Sequence, residues 1–300
     1  MPVVLGLLVA LTYGGADFFG GLGAKRLPTF TVMLWSQGLG LVLMVGYVVF
    51  FAPALPSTRD LLFGLVGGAC GFVGIALQYR ALAIGPMRFV APVAAIGSAV
   101  VPVAVSVLRG QALPALAAVG VVACLAALAV LGSADSGADL SGVDQDGPDG
   151  EARRRWWTSG PVLAVGAGLG FGLFFVFFGE LSTESGLWPV AVDRLASVGL
   201  GAAVVAFLRR RSPADHRFLP RSGTGTLTVV AVCGLLDVSA HSLYVLAGHD
   251  GLTSEVAVLS ALYPATTVAL AVIVLRERLR AAHLVGFVLA AAGVALIAVG

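Results

Sequence analysis

Residues 85–132, GPMRFVAPVAAIGSAVVPVAVSVLRGQALPALAAVGVVACLAALAVLG, align without a gap on residues 251–298, GLTSEVAVLSALYPATTVALAVIVLRERLRAAHLVGFVLAAAGVALIA. Twelve of the 48 pairs are identical. Alanine and valine matches carry little weight in so apolar a chain. More telling is that Gly85, Leu113, Ala115 and Gly120 fall on Gly251, Leu279, Ala281 and Gly286. The polar breaks Gly110–Gln111 and Arg276–Glu277 also interrupt two long apolar runs at the same place. Self-similarity at one fixed offset is the mark of a duplicated structural unit.

Outward from this pair, the remaining sequence divides the same way. A helix needs roughly 20 apolar residues to cross the hydrocarbon layer. Apolar runs of that order occupy 3–24, 29–52, 61–82, 85–108 and 113–132, then 159–181, 187–208, 225–248, 252–275 and 280–300. The short turns between them favour helical hairpins, because strands of a membrane barrel would be half as long and alternate in polarity. The expected fold is an all-α membrane protein with ten transmembrane helices. Residues 1–132 form the first five-helix repeat, 133–158 a linker, and 159–300 the second repeat. An odd number of crossings per repeat places the two copies in opposite orientations.

Composition supports a chain solvated by lipid. Hydrophobic residues make up 58%, charged residues 11%, and the mean hydropathy is +0.98. A soluble domain carries about 25% charged residues, so this inventory cannot build a water-facing surface. The linker, SADSGADLSGVDQDGPDGEARRRWWT, is rich in Gly, Ser and Asp and lacks the apolar surface needed to fold. Half of it should be dispensable, since loop length costs little. At its end Arg153–Arg155 and Trp156–Trp157 read as an interfacial anchor. No Lys or Arg precedes the first run and Asp17 interrupts it, so residues 1–24 read as a span and not as a cleaved signal.

Charge placement predicts orientation. Thirteen of the 18 Lys and Arg lie in turns 1–2, 5–6, 7–8 and 9–10, among them Lys25, Arg26, Arg209–Arg211 and Arg221. Turns 2–3, 4–5, 6–7 and 8–9 hold two, Arg59 and Arg109. The positive-inside rule then puts the odd-numbered turns in the cytoplasm and both termini outside.

Ala261-Leu-Tyr-Pro264, followed by Glu277-Arg-Leu279, resembles the proline-bearing span and G-E-R-L turn of EamA-type proteins of the drug/metabolite transporter superfamily. Tyr244-x-x-Ala247 and Tyr79-Arg80-Ala81-Leu82 are similar to that family's pattern before spans nine and four. Arg276 stands where the family has Gly, and repeat one, with Gly110–Gln111, lacks the Glu and the Arg. The resemblance covers nearly the whole chain outside the linker. It implies a cavity formed by spans 1, 3, 4, 6, 8 and 9, with spans 5 and 10 at the periphery.

Candidate site residues are those a bilayer makes costly: a charge at its centre costs about 2.5–3.5 kcal/mol on insertion scales. Asp17, Asp193, Arg194, Asp237 and His241 qualify. Glu180, Arg80, Arg88 and Glu255 lie near span ends, where they can snorkel. Asp193 and Arg194 are about 100° apart on a helix, which argues against one shared partner; Arg194 is open to a structural role or to binding an anionic group. Gln37 occupies its place in repeat one.

Asp237 and His241 share a helix face with Tyr244, close to mid-depth, and an Asp/His step there can relay protons. Asp237 is the expected coupling residue, tuned by His241, with Asp17 and Tyr244 binding substrate. Asp237→Asn is expected to fold normally and lose pH-driven accumulation. Pro92, Pro102 and Pro264 are candidate gating kinks. Gly64, Gly68 and Gly71 read as a close-packing stripe. Phe174 or Phe175 is a candidate cavity wall opposite Phe18 or Phe19.

Cys70, Cys124 and Cys233 lie in spans without metal-ligand or redox spacing, so no metal, cofactor or disulfide is expected. Nothing points to nucleic acid. No HExxH or GxSxG supports a membrane enzyme, and a channel or scaffold leaves the mid-depth charges unexplained. The expected function is secondary transport of small metabolites or amino-acid-like compounds through a multi-pass protein of the cell membrane. The partners are a small-molecule substrate and the lipid bilayer, with room for a homo-oligomer.

Overall fold

A computed structural model describes residues 2–51, 55–136, 159–211, 224–249, 259–260, 262–277 and 279–299. The described residues include ten α-helices: α1 (Pro2–Ala24), α2 (Thr29–Phe51), α3 (Thr58–Ile84), α4 (Met87–Leu108), α5 (Ala115–Ser136), α6 (Gly160–Phe178), α7 (Trp188–Arg211), α8 (Thr224–His249), α9 (Tyr263–Leu275) and α10 (Ala281–Val299). No strand occurs among the described residues. Eight of the helices are long and apolar enough to cross a membrane. The apolar part of α5, Ala115–Leu131, and α9 are shorter. Most of the linker (137–158), most of the Arg209–Arg221 turn, and Glu255 lie outside the described residues.

Local chemistry sets the helix ends. Ser57 caps α3 by accepting from Asp60 N at 3.1 Å, while its hydroxyl donates to the Asp60 carboxylate at 2.9 Å. The buried Asp60 also accepts from the backbone N and the hydroxyl of Ser182, at 3.2 and 2.7 Å. This ties the α6–α7 connection to the start of α3. Beside it Glu180 accepts from Arg59 at 3.2 Å and from Arg109 at 2.6 Å.

At the opposite end Glu277 accepts from the backbone N–H groups of Met87 and Arg88, at 3.0 and 3.1 Å. A carboxylate of the second half thereby caps a helix of the first, where the helix dipole favours negative charge.

The two polar breaks at equivalent positions do the same conformational work. Gly110, after α4, has φ +82°, and Arg276, after α9, has φ +55° with ψ +35°. Glycine enters this left-handed region freely, while a side chain pays roughly 1–2 kcal/mol. Arg276→Gly is therefore expected to stabilise the protein by about 1 kcal/mol, measured as a raised unfolding temperature in detergent. A lowered temperature would show that the arginine side chain holds the turn.

The packing between halves comes in matched pairs: α3 on α6 and α8 on α1, α4 on α6 and α9 on α1, α3 on α7 and α8 on α2, with α5 on α10 and α2 on α7. Close approach requires small residues. A Cβ at Gly68 would lie 2.7 Å from the Asp193 Cα, and one at Gly234, 166 positions on, 2.5 Å from the Ser36 carbonyl oxygen. Gly64 likewise lies against Pro189, and Gly71 lines a central cavity.

The end of the bundle holding the α4 N-terminus and α9 C-terminus is filled by Phe18, Val32, Leu82, Met87, Val90 and their neighbours. Phe18 and Phe19 pack there against each other, with ring centroids 5.4 Å apart, and not across the cavity.

Candidate functional site

The polar centre of the bundle is built on α7 and α8. Arg194, 1% exposed, is the largest fully buried side chain. Its Nη1 donates to the Gln37 amide oxygen and to the Asp237 carboxylate, and its Nη2 to the Asp237 carbonyl at 3.5 Å. Nη2 also lies 2.6 Å from His241 Nδ1. Gln37 returns its amide N–H to the Asp237 carboxylate at 2.9 Å. The same Nδ1 lies 3.1 Å from the Asp237 carbonyl oxygen and 3.6 Å from its carboxylate, so His241 is held between the guanidinium and Asp237.

Asp193 and Arg194 meet each other, the structural reading left open for Arg194: Asp193 Oδ2 is 3.7 Å from Arg194 Nε. Helical bearing describes Cβ directions, but the arginine side chain is long enough to bend back between both aspartates. Arg194 therefore sits between Asp193 and Asp237, with Gln37 of the first half completing its shell.

Beyond this cluster lies a cavity of about 320 Å³. Asp17, Asp193, Asp237, His241 and Tyr244 line it, with Tyr13, Phe171, Phe174 and Phe175 among its aromatic walls. Tyr13 and Phe174 set their rings edge-on to His241, at 5.2 and 5.3 Å. Phe175 meets Tyr244 at 5.7 Å. Asp17 accepts from Gln78 at 3.2 Å. Among the described residues no ion pair reaches it. Pro102 lines the cavity, whereas Pro92 and Pro264 face each other in a small recess behind it, beside Ala290. Pro264 stands in the first turn of α9, where a missing N–H is tolerated.

The walls differ from those the resemblance implied. Helix α7 contributes Asp193, and α10 contributes Val294, Ile297 and Ala298, because α10 packs on α4 as well as on α5. Spacing in the sequence did not reveal Tyr13 or Tyr263 as wall residues; Gln78 stands 166 positions before Tyr244 and was legible as its counterpart in the first half. Tyr13 and Asp17 do lie four residues apart on one helix face, a signal that was available.

No group of His, Cys, Asp and Glu that could hold a metal occurs among the described residues. The cysteines are free, and Cys233 Sγ lies 3.0 Å from the Tyr79 hydroxyl.

Residues 158–299 match the model of the EamA-like transporter family. The second half of the chain belongs to that family. EamA proteins are part of the drug/metabolite transporter superfamily, and the match to this half, with eight helices long and apolar enough to cross a membrane among the described residues, supports an integral, multi-pass membrane protein. Sixteen chains of solved structures match its fold. One crystal structure aligns with a TM-score of 0.62 and 15% identity, covering 99% of this chain and 96% of the other. At that identity it speaks for the fold alone, over both halves. No curated protein matches.

Proposed function

We propose that this EamA protein is a secondary active transporter that moves small metabolites or amino-acid-like compounds across the cell membrane, exporting them by alternating access around the central cavity. One observation carries the reading: a cavity of about 320 Å³, walled by helices of both halves, beside a buried charge cluster that joins α2 to α7 and α8. Duplicated units around a midplane site are the usual plan of such transporters.

The two halves are proposed to be inverted copies, 1–132 and 159–300. The matched helix contacts and the paired Gly68/Gly234 approaches support a two-fold relation. Proton coupling is proposed at Asp237 and His241. Arg194 holds the Asp237 carboxylate in the conformation described, so proton exchange there belongs to a state in which α7 and α8 have separated.

Solute counterflow in proteoliposomes, run against panels of amines, amino acids and sugars, tests transport. Saturable exchange of one class is expected, and exchange of none by well-folded protein would refute it.

Orientation has its own test. In a background lacking native cysteines, an impermeant maleimide added to intact cells should label Arg59→Cys and spare Lys25→Cys, both positions being exposed. The reverse pattern would invert the membrane topology inferred from the charges.

A further inference from the structure

We infer that the cavity takes an organic cation, an ammonium on a small aromatic or aliphatic body, with Asp17 as its counter-ion. The assignment rests on the transport reading and narrows it to one charge class.

The charge balance comes first. Three aspartates line the cavity: Asp17, Asp193 and Asp237. One guanidinium, Arg194, serves two of them, through the Asp237 carboxylate and through Nε facing Asp193 at 3.7 Å. His241 belongs to that cluster, its Nδ1 lying against Arg194 and Asp237. Asp17 is left with the Gln78 amide as its partner. A carboxylate with one neutral donor in a bundle core is costly, and a cation entering the cavity removes that cost.

Unused polar atoms point the same way. The Asp193 Oδ2, on a side chain 5% exposed that lines the cavity, has no hydrogen-bond donor. The hydroxyl of Tyr13, four residues before Asp17, is also without a partner. Aromatic rings, among them Tyr13, Tyr79, Phe171, Phe174, Tyr244 and Tyr263, share the remaining wall with small and aliphatic residues. Ring faces attract ammonium groups.

For an anionic substrate the one unpartnered donor of Arg194 among the described residues is Nε, which already lies 3.7 Å from the Asp193 carboxylate. Both terminal nitrogens of Arg194 are engaged by Gln37, Asp237 and His241, and the side chain is 1% exposed. An amino acid would bring a carboxylate into the same deficit, so amines are favoured over zwitterions.

Equilibrium dialysis of the full chain in nanodiscs, using phenethylamine, phenylalanine, 3-phenylpropanol and 3-phenylpropionate, decides the matter. Phenethylamine should bind saturably and at least about tenfold more tightly than phenylalanine or 3-phenylpropionate, as expected for one charge-assisted contact. Asp17→Asn should weaken the amine by about tenfold or more while leaving 3-phenylpropanol unchanged, and Asp17→Glu should restore most of the amine affinity. The neutral alcohol serves as the check that the Asn variant keeps its cavity.

Equal or tighter binding of the anion or the zwitterion, an Asp17→Asn variant with undiminished amine affinity, or no saturable binding of any probe would each overturn the assignment. Counterflow of another solute class would then leave the transporter reading standing. Amine binding without counterflow would instead sink that reading and spare this one.

Discussion

Asp237→Asn is expected to destabilise the protein by about 3–5 kcal/mol, the cost of leaving a buried charge without its partner. The sequence alone suggested that this near-isosteric change would fold normally. Arg194 reverses that expectation: it is 1% exposed, and its Nη1 donates to the Asp237 carboxylate. The amide keeps an oxygen for the hydrogen bond but removes the charge that neutralises the guanidinium. Arg194→Met combined with Asp237→Asn should recover much of the loss, because the uncompensated cation is gone. Thermal unfolding of the detergent-solubilised single and double variants measures the coupling. Equal destabilisation in Asp237→Asn with and without Arg194→Met would show that the ion pair does not stabilise the bundle.

The second large effect concerns the seam between α4 and α6. A Cβ at Gly97 would lie 2.7 Å from the Gly168 Cα, and one at Gly168 2.8 Å from the Ala94 carbonyl oxygen. Both obstacles are backbone, so no side chain can swing aside. Gly168→Val should cost about 1–3 kcal/mol by overpacking. It should also displace Phe171, Phe174 and Phe175, which lie on the same helix and wall the cavity. Solute binding is expected to fall further than stability alone explains. Measuring affinity beside unfolding temperature separates the two, and normal affinity in a folded Gly168→Val protein would show that the seam does not position the wall. The same substitution at Gly225, where a Cβ meets nothing within 4 Å, is the neutral control.

The sequence was most informative where one property dominates locally. Nine of the ten apolar runs located helices to within a few residues, because a lipid-solvated helix has to satisfy all its backbone groups internally and is marked by unbroken hydrophobicity; of the ninth run, 252–275, the described helix covers Tyr263–Leu275. Asp237 and His241 were legible as one face because i and i+4 superpose on any helix.

What pairs across helices was not legible. Gln37 and Asp237 are 200 residues apart, and Glu277 caps α4 from 190 residues away. Such contacts follow from packing, which no spacing rule reports. Arg194 shows why bearing misleads for long side chains: the guanidinium reaches back to Asp193, its own neighbour, while bonding α2 and α8. The left-handed Arg276 could be anticipated only from Gly110 at the equivalent position.

The central claim is that the cavity opens alternately to the two sides of the membrane. A single cysteine at Ala99, on the cavity wall, in protein lacking Cys70, Cys124 and Cys233, reports it directly. In proteoliposomes of uniform orientation, an impermeant maleimide should react with this cysteine from either side, and prior reaction from one side should block counterflow. The probe itself should not cross the membrane. Reaction from one side alone under every condition, or from both sides with passage of the probe, would contradict alternating access.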